Sequence, residues 1–227
     1  MTKKHSALLN KWSKLPHHMN NGFIHDGIVD MARWDKSKIK LMFLLKEAYS
    51  TKNKKAEWDL RPYIRNEWQT ARGNLYKNAM YWSYAVQHLS DKHAPCFPEE
   101  DRIDEAIENM LSSAFVNVKK SSGKKTSDKE IINLYAQQDG IYLKQQIELI
   151  QPQIIVCGNT WDSIHHIWSS AKEVYDFVWY DSSIVFIDFW HPANRFPKQL
   201  NYQALTNVLR SSQTLSIVKN GLTTRSS

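Results

Sequence analysis

Four short apolar runs punctuate this chain, and each ends in polar or turn-forming residues. The run in Lys40 to Ser50 (KLMFLLKEAYS) stops at a Lys-Glu pair and two hydroxyl side chains. Ala114 to Val118 (AFVNV) carries Asn117 near its end, Gln153 to Cys157 (QIIVC) runs into Gly158, and Ser183 to Phe189 (SIVFIDF) runs into Trp190, His191 and Pro192. Runs of this length, bounded by polar residues, predict strands buried on both faces of a parallel sheet. In open α/β sheets ligands bind at the carboxyl ends of the strands. The four ends would therefore bring Lys46, Glu47, Asn117, a glycine turn and His191 to one rim.

Between the runs, helical spacing prevails. Ser6 to Trp12 and Phe23 to Trp34 read as N-terminal helices. Leu75 to Leu89 places Leu75, Ala79, Trp82, Val86 and Leu89 on one side, and Glu99 to Leu111 opens with acidic residues that suit a helix dipole. Thr51 to Asn74 is polar, basic and aromatic (Trp58, Tyr63, Trp68), which predicts an irregular or partly helical insertion over the rim. Lys119 to Ser127 (KKSSGKKTS) reads as a loop. Ser127 then caps a long helix, with Glu130 as capping-box partner, that runs to Ile150 and is interrupted at Gly140. Asn159 to Trp168 predicts a further helix, opened by Asn159 or Thr160. One or two strands follow between Val174 and Phe189, then a helix near Gln199 to Leu209 and a disordered tail after Asn220. The alternation predicts a three-layer α/β/α fold around a central, mostly parallel sheet. With no composition break, repeat or linker, residues 1–220 read as one domain, 1–39 being a helical extension.

Charge adds a partner to this picture. Among 227 residues, 30 are Lys or Arg and 23 Asp or Glu, a net charge of +7, and the pI is near 9.2. A basic balance favours polyanions. Lys52, Lys54 and Lys55 follow the first strand end, and Lys119, Lys120, Lys124 and Lys125 follow Asn117. Such runs are ordinarily solvated surface; two of them directly after two rim strands favour a polyanionic partner. Cys96 and Cys157 are too few and too far apart for a disulfide framework, a Cys-ligated metal or an iron–sulfur cluster. No run is long enough to span a membrane, and the N-terminus lacks a secretory apolar core, so a cytoplasmic monomer with no membrane partner is expected. His17-His18 and His165-His166 make a poor metal hydrolase: neighbours on one helix diverge by about 100 degrees, and no carboxylate is spaced to complete a set. No metal and no cofactor are expected.

In order and spacing, residues from Lys40 to Leu209 resemble the uracil-DNA glycosylase superfamily. The family's first motif, GQDPYH in one branch and GEAPG in the iron–sulfur branch, falls on Lys46-Glu47-Ala48-Tyr49-Ser50. The strand carrying its base-reading Asn falls on Phe115-Val116-Asn117-Val118, its LxxxIxxxxPxxIVxxG pattern is similar to Leu143 through Gly158, and its HPS motif with a DNA-wedging loop falls on His191-Pro192-Ala193-Asn194-Arg195-Phe196. Lys46 replaces a Gly, Tyr49 a Pro, and Ala48 stands where the GQDPYH branch has its catalytic Asp. Glu47 matches the Glu of the GEAPG branch, whose cysteines are missing here.

The resemblance implies a DNA glycosylase that cleaves the bond between a flipped base and its sugar. The sugar gains oxocarbenium character and the base negative charge, so a hydrogen-bond donor and a carboxylate are required. His191 and Glu47 fill those roles, against ordinary readings as a loop histidine and a surface ion pair. Asn117 would pair with the base edge, with Ala48, Tyr49, Ser50 and Trp190 around it and Trp68 and Tyr76 as further stacking candidates. Lys46 and Arg195 would hold phosphate or fill the vacated stack. Ser50, smaller than the Tyr of the GQDPYH branch, leaves room beside C5. The expected substrate is then a 5-modified pyrimidine, such as glucosylated hydroxymethylcytosine of phage DNA, removed in antiviral defence. The alternatives are uracil excision in repair and a DNA-binding protein on the same fold without catalysis.

Overall fold

The computed structural model describes residues 3–19, 21–48, 56–71, 73–124 and 126–223, with side chains as far as Val218. The elements are α1 (Lys3–Trp12), β1 (Ile24–His25), β2 (Gly27–Ile28), α2 (Met31–Lys36), β3 (Leu41–Glu47), β4 (Trp58–Asp59), α3 (Leu60–Glu67), α4 (Leu75–Gln87), α5 (Ile103–Leu111) and β5 (Ala114–Lys119). There follow α6 (Lys129–Ile150), β6 (Ile154–Gly158), α7 (Trp161–Ile164), β7 (Lys172–Tyr175), β8 (Val178–Asp181), β9 (Ile184–Phe189), α8 (Lys198–Leu209) and α9 (Ser212–Thr223).

The four apolar runs form the middle of a seven-stranded sheet with the order β2-β5-β3-β6-β9-β8-β7. The pairs β5–β3, β3–β6 and β6–β9 are parallel, whereas β2–β5, β9–β8 and β8–β7 are antiparallel. The sheet is thus mixed rather than mostly parallel. Its parallel centre coincides with the continuous apolar runs, and its antiparallel flanks are short or half-exposed strands that carry no such run. Residues 172–189 hold three strands instead of one or two, because Phe177 and Ser182 take left-handed φ values of 66° and 58° and turn the chain back twice.

Helices cover both faces, and β3 shows how. Leu41, Phe43 and Leu45 pack into a core built with α4, α5 and α8, and Met42 and Leu44 into a second core with α1, α6 and α7. Helix α4 lies between sheet, α5 and α8, so every residue from Asn78 to Gln87 is buried. That accounts for an apolar character extending beyond a single stripe.

Several boundaries differ from the expectation. No helix spans Phe23 to Trp34: Gly27, at φ 130°, has no room for a Cβ against the His5 ring, and the segment gives β1, β2 and the short α2. The first 39 residues are woven into the fold, β2 as a sheet edge and α1 against α6 through Leu9 and Trp12. Asp128, not Ser127, caps α6, its carboxylate accepting from the Glu130 and Ile131 N–H groups. Gly140 leaves α6 unbroken and lets Ile167 approach closely. The 159–168 segment is one turn of α-helix followed by a 3-10 turn, and Thr160 caps it without its side chain. Residues 221–223 are helical, belonging to α9.

Candidate functional site

The strand alternation decides where each rim side chain goes. Lys46 continues the Met42–Leu44 side of β3, and Glu47 the Phe43–Leu45 side. On β9, Val185, Ile187 and Phe189 face the α4–α8 core, so Asp188 points the other way, with Lys46. Lys46 and Asp188 line a cavity of about 480 Å³ together with Asn159, Asp162, Ser163 and Trp190. The cavity wall is therefore built from the neighbours of Glu47 and His191, with those two residues beside it rather than in it.

Glu47 is a pinned carboxylate. Its side chain is 5% exposed; Oε2 accepts from Lys119 Nζ at 2.6 Å and Oε1 from the Lys124 N–H at 3.2 Å. The register of β3 and β5 sets Glu47 opposite Lys119, which makes this pair local geometry. Gly123 closes over it: the Gly123 N–H donates to the Ala48 carbonyl at 2.8 Å, and a Cβ on Gly123 would collide with the Glu47 carboxyl group.

His191 is presented by a loop that asparagines hold. Asn78 Nδ2 donates to the Pro192 carbonyl at 2.7 Å, Asn74 Nδ2 to the Asn194 carbonyl at 3.0 Å, and Asn201 Nδ2 to Asn194 Oδ1 at 2.7 Å. Gly158, at the end of β6, completes the support, since a Cβ there would lie 2.8 Å from Leu45 and 3.1 Å from Pro192. The ring accepts the Ala193 N–H on Nδ1 at 3.1 Å. A neutral ring then carries its proton on Nε2. Burial, helped by the Lys46 charge, lowers the His191 pKa to about 4, so the ring is neutral at physiological pH. Among the described residues nothing is bonded to Nε2, which leaves one directed N–H at the rim.

Asp188 is the second carboxylate of the region. Burial, and then the neighbouring Asp162, raise its pKa to about 6. Asp188 is inconspicuous in the sequence because it sits inside an apolar run. The signal was there, a lone charge at a position that alternation makes inward-facing near a strand end.

Other predicted site residues are placed differently. Asn117 is buried with its amide turned to Asp26, whose Oδ2 accepts from the Asn117 N–H at 2.8 Å and from Nδ2 at 3.3 Å, so it does not reach the cavity. Lys119 is spent on Glu47 and on the Ser122 carbonyl, and Lys120 is fully buried, with Nζ 2.6 Å from Asp26. Neither is a surface contact for phosphate. Buried ammonium groups are held by buried carboxylates, and only the fold brings Glu47 to Lys119 and Asp26 to Lys120. Lys124 and Arg195 are exposed, and Trp190 is 38% exposed with Phe196 against it at 4.7 Å between ring centroids. Tyr76 packs inside against Phe115, and Trp68 is half-buried away from the cavity. Ala48 is half-buried beside Glu47. Tyr49, Ser50, Lys52, Lys54, Lys55 and Lys125 lie outside the described residues.

One group of described side chains has the donor set for a metal ion: His17, His18 and Asp139, whose ligand atoms all lie within 4.8 Å. It is separate from the rim. Among the described residues no helix is long and apolar enough to cross a membrane. No protein-family model and no curated protein matches the chain.

Proposed function

We propose that this protein is a DNA glycosylase that hydrolyses the N-glycosidic bond of a flipped pyrimidine. The observation that carries the reading is His191: a neutral imidazole in a braced loop, with an Nε2–H at the carboxyl edge of the sheet that no described residue accepts. A neutral donor gains most as the departing base becomes anionic, and a fixed one costs no reorganisation at that moment. Lys46, close enough to depress the His191 pKa, adds positive potential on the same side. The sugar cation is met by negative charge from Glu47, held by Lys119 and the 123–124 backbone, and from Asp188. Asp188, with a pKa of about 6, is matched to accept a proton from the attacking water near neutral pH.

In this reading the base-pairing amide moves from Asn117 to Asn159, exposed on the cavity wall beside Trp190, whose ring offers a stacking face. Exposed Lys124 and Arg195 contact phosphates. A cavity of about 480 Å³ is more than an unsubstituted pyrimidine needs and falls within the range for larger ligands. We therefore assign a 5-modified cytosine, such as the glucosylated hydroxymethylcytosine of phage DNA, as substrate, with an antiviral role. The alternative substrate is uracil in repair. An inert DNA-binding protein is the second reading, favoured by the engagement of both Glu47 oxygens.

Side-by-side incubation with uracil-containing DNA and with DNA carrying glucosylated hydroxymethylcytosine, followed by alkaline cleavage at abasic sites, separates these. Release of the modified base supports the assignment, uracil release alone moves the enzyme to repair, and no release from either favours the inert binder.

A further inference from the structure

On one helix the His17 and His18 rings would diverge, but the two residues do not share a helix. After α1 ends at Trp12 the chain passes through successive turns, with the His18 and Met19 N–H groups both bonded to the Leu15 carbonyl, and the two rings converge with centroids 4.3 Å apart. The missing carboxylate comes from α6, 121 residues along. Asp139 Oδ1 lies 2.7 Å from His17 Nε2, and Oδ2 lies 2.9 Å from His18 Nε2.

We propose that His17, His18 and Asp139 form a binding site for a divalent transition-metal ion of the zinc type. Two imidazole nitrogens and a carboxylate are a donor set suited to such ions. Ligand atoms bound tetrahedrally at about 2.0 to 2.1 Å from zinc are separated by about 3.3 Å; those of His17, His18 and Asp139 already lie within 4.8 Å of one another, so small side-chain shifts close them round an ion. The charge also asks for a cation: Asp139 is 1% exposed, and the two nearby lysines are already committed, Lys119 to Glu47 and Lys120 to Asp26. His18 is fully buried, whereas His17 is 27% exposed and leaves one side open for the ion and a water ligand.

The site would brace the rim. Both rings lie against Tyr135, one turn before Asp139 on α6, at 5.7 and 5.6 Å between centroids. The Tyr135 hydroxyl meets Ser121 Oγ at 3.1 Å, and Lys119 Nζ sits 5.6 Å over its ring while holding Glu47. A bound ion therefore ties the N-terminal segment to the helix behind the Lys119–Glu47 pair, whatever reaction the rim performs.

The test uses the full chain, stripped by chelation and then given zinc. It should retain a single ion by elemental analysis, and its melting temperature should rise by roughly 5 to 10 °C at zinc a hundredfold above its Kd. Cobalt(II) in place of zinc should give the visible absorption of a four-coordinate site. His17→Gln keeps an amide donor for Asp139 but removes a ligand, so it should melt like the stripped protein and gain nothing from zinc. Should that variant fold poorly, the cobalt spectrum of the unaltered chain decides. The proposal is overturned if the unaltered chain retains neither ion, or if His17→Gln binds zinc with the same stoichiometry and the same melting shift; the three side chains are then a hydrogen-bonded staple alone.

Discussion

At the scale of single residues, charge is either pinned or deliberately uncharged. His191 is kept neutral by burial and by the Lys46 charge, the Ala193 N–H on Nδ1 leaves the proton on Nε2, and that N–H, which no described residue accepts, is the group that the proposed reaction requires. Replacing it by Ala should slow base release by at least about a hundredfold while DNA binding survives, as measured by single-turnover release beside a binding titration. The pH profile assigns the second role. Asp188 takes up its proton near pH 6 as the medium acidifies, whereas His191 stays neutral until about pH 4. Base release should then fall on the acid side with a midpoint near 6, and Asp188→Asn should lose both rate and limb. A limb near 4 in the unaltered enzyme would remove Asp188 from the mechanism. Lys119 is a different case, a cation whose partner is 5% exposed. Lys119→Met leaves the Glu47 carboxylate buried without its counter-charge and should cost about 3 to 5 kcal/mol in urea unfolding, far more than loss of a surface lysine.

At the scale of elements, the site is a product of where strands stop and what lies over their ends. β3, β6 and β9 were legible from their apolar runs, and with them the convergence of Lys46, Glu47, Gly158 and His191 on one edge. What alternation alone could have added is that Glu47 and Asp188 leave the sheet on opposite faces. Asn117 sits away from the strand end because β5 runs one residue past the apolar pattern, to Lys119, and the N–H of Asn117 meets Asp26 across an edge that β2 is too short to cover. The asparagine supports at 74, 78 and 201 were not legible, because an Asn at the start of a helix or within one carries no sign of the loop it will hold. Gly158 gives this scale its test. A methyl group there presses on Leu45 and on Pro192, so Gly158→Ala should displace the His191 loop and lower base release more than tenfold, with a drop in stability of the order of 1 to 3 kcal/mol. Equal activity in that variant would mean that the loop accommodates the methyl group and that its position is not critical. DNA affinity belongs to the exposed cations: neutralising Lys124 and Arg195 should flatten the dependence of log affinity on log salt by about one unit each.

At the scale of the molecule, the two cores and the rim share one acid-sensitive feature. His5, buried on α1 over Gly27, is tied to Gln146 of α6, and burial lowers its pKa from 6.5 to about 4, the same direction and extent as for His191. The unfolded chain protonates both rings as pH falls through 6.5, and the folded protein only near pH 4. More protons are bound by the unfolded state throughout that window, so the stability contributed by the neutral rings is complete above about pH 6.5 and is lost as pH falls towards 4, at most about 3 kcal/mol for each ring. Asp188 acts the other way. Its pKa is raised from 3.8 to about 6, so the folded state holds the extra proton between those values and stability from this group is lost as pH rises through them. Asp188 and His191 are both part-buried, which weakens their shares relative to that of the buried His5. The balance predicts a protein less stable at pH 5 than at pH 7.5. Urea midpoints at the two pH values should show His5→Gln narrowing the gap and Asp188→Asn widening it, because the first removes a group that destabilises in acid and the second removes the one that opposes it. A gap unchanged in both variants would place the acid sensitivity elsewhere in the chain.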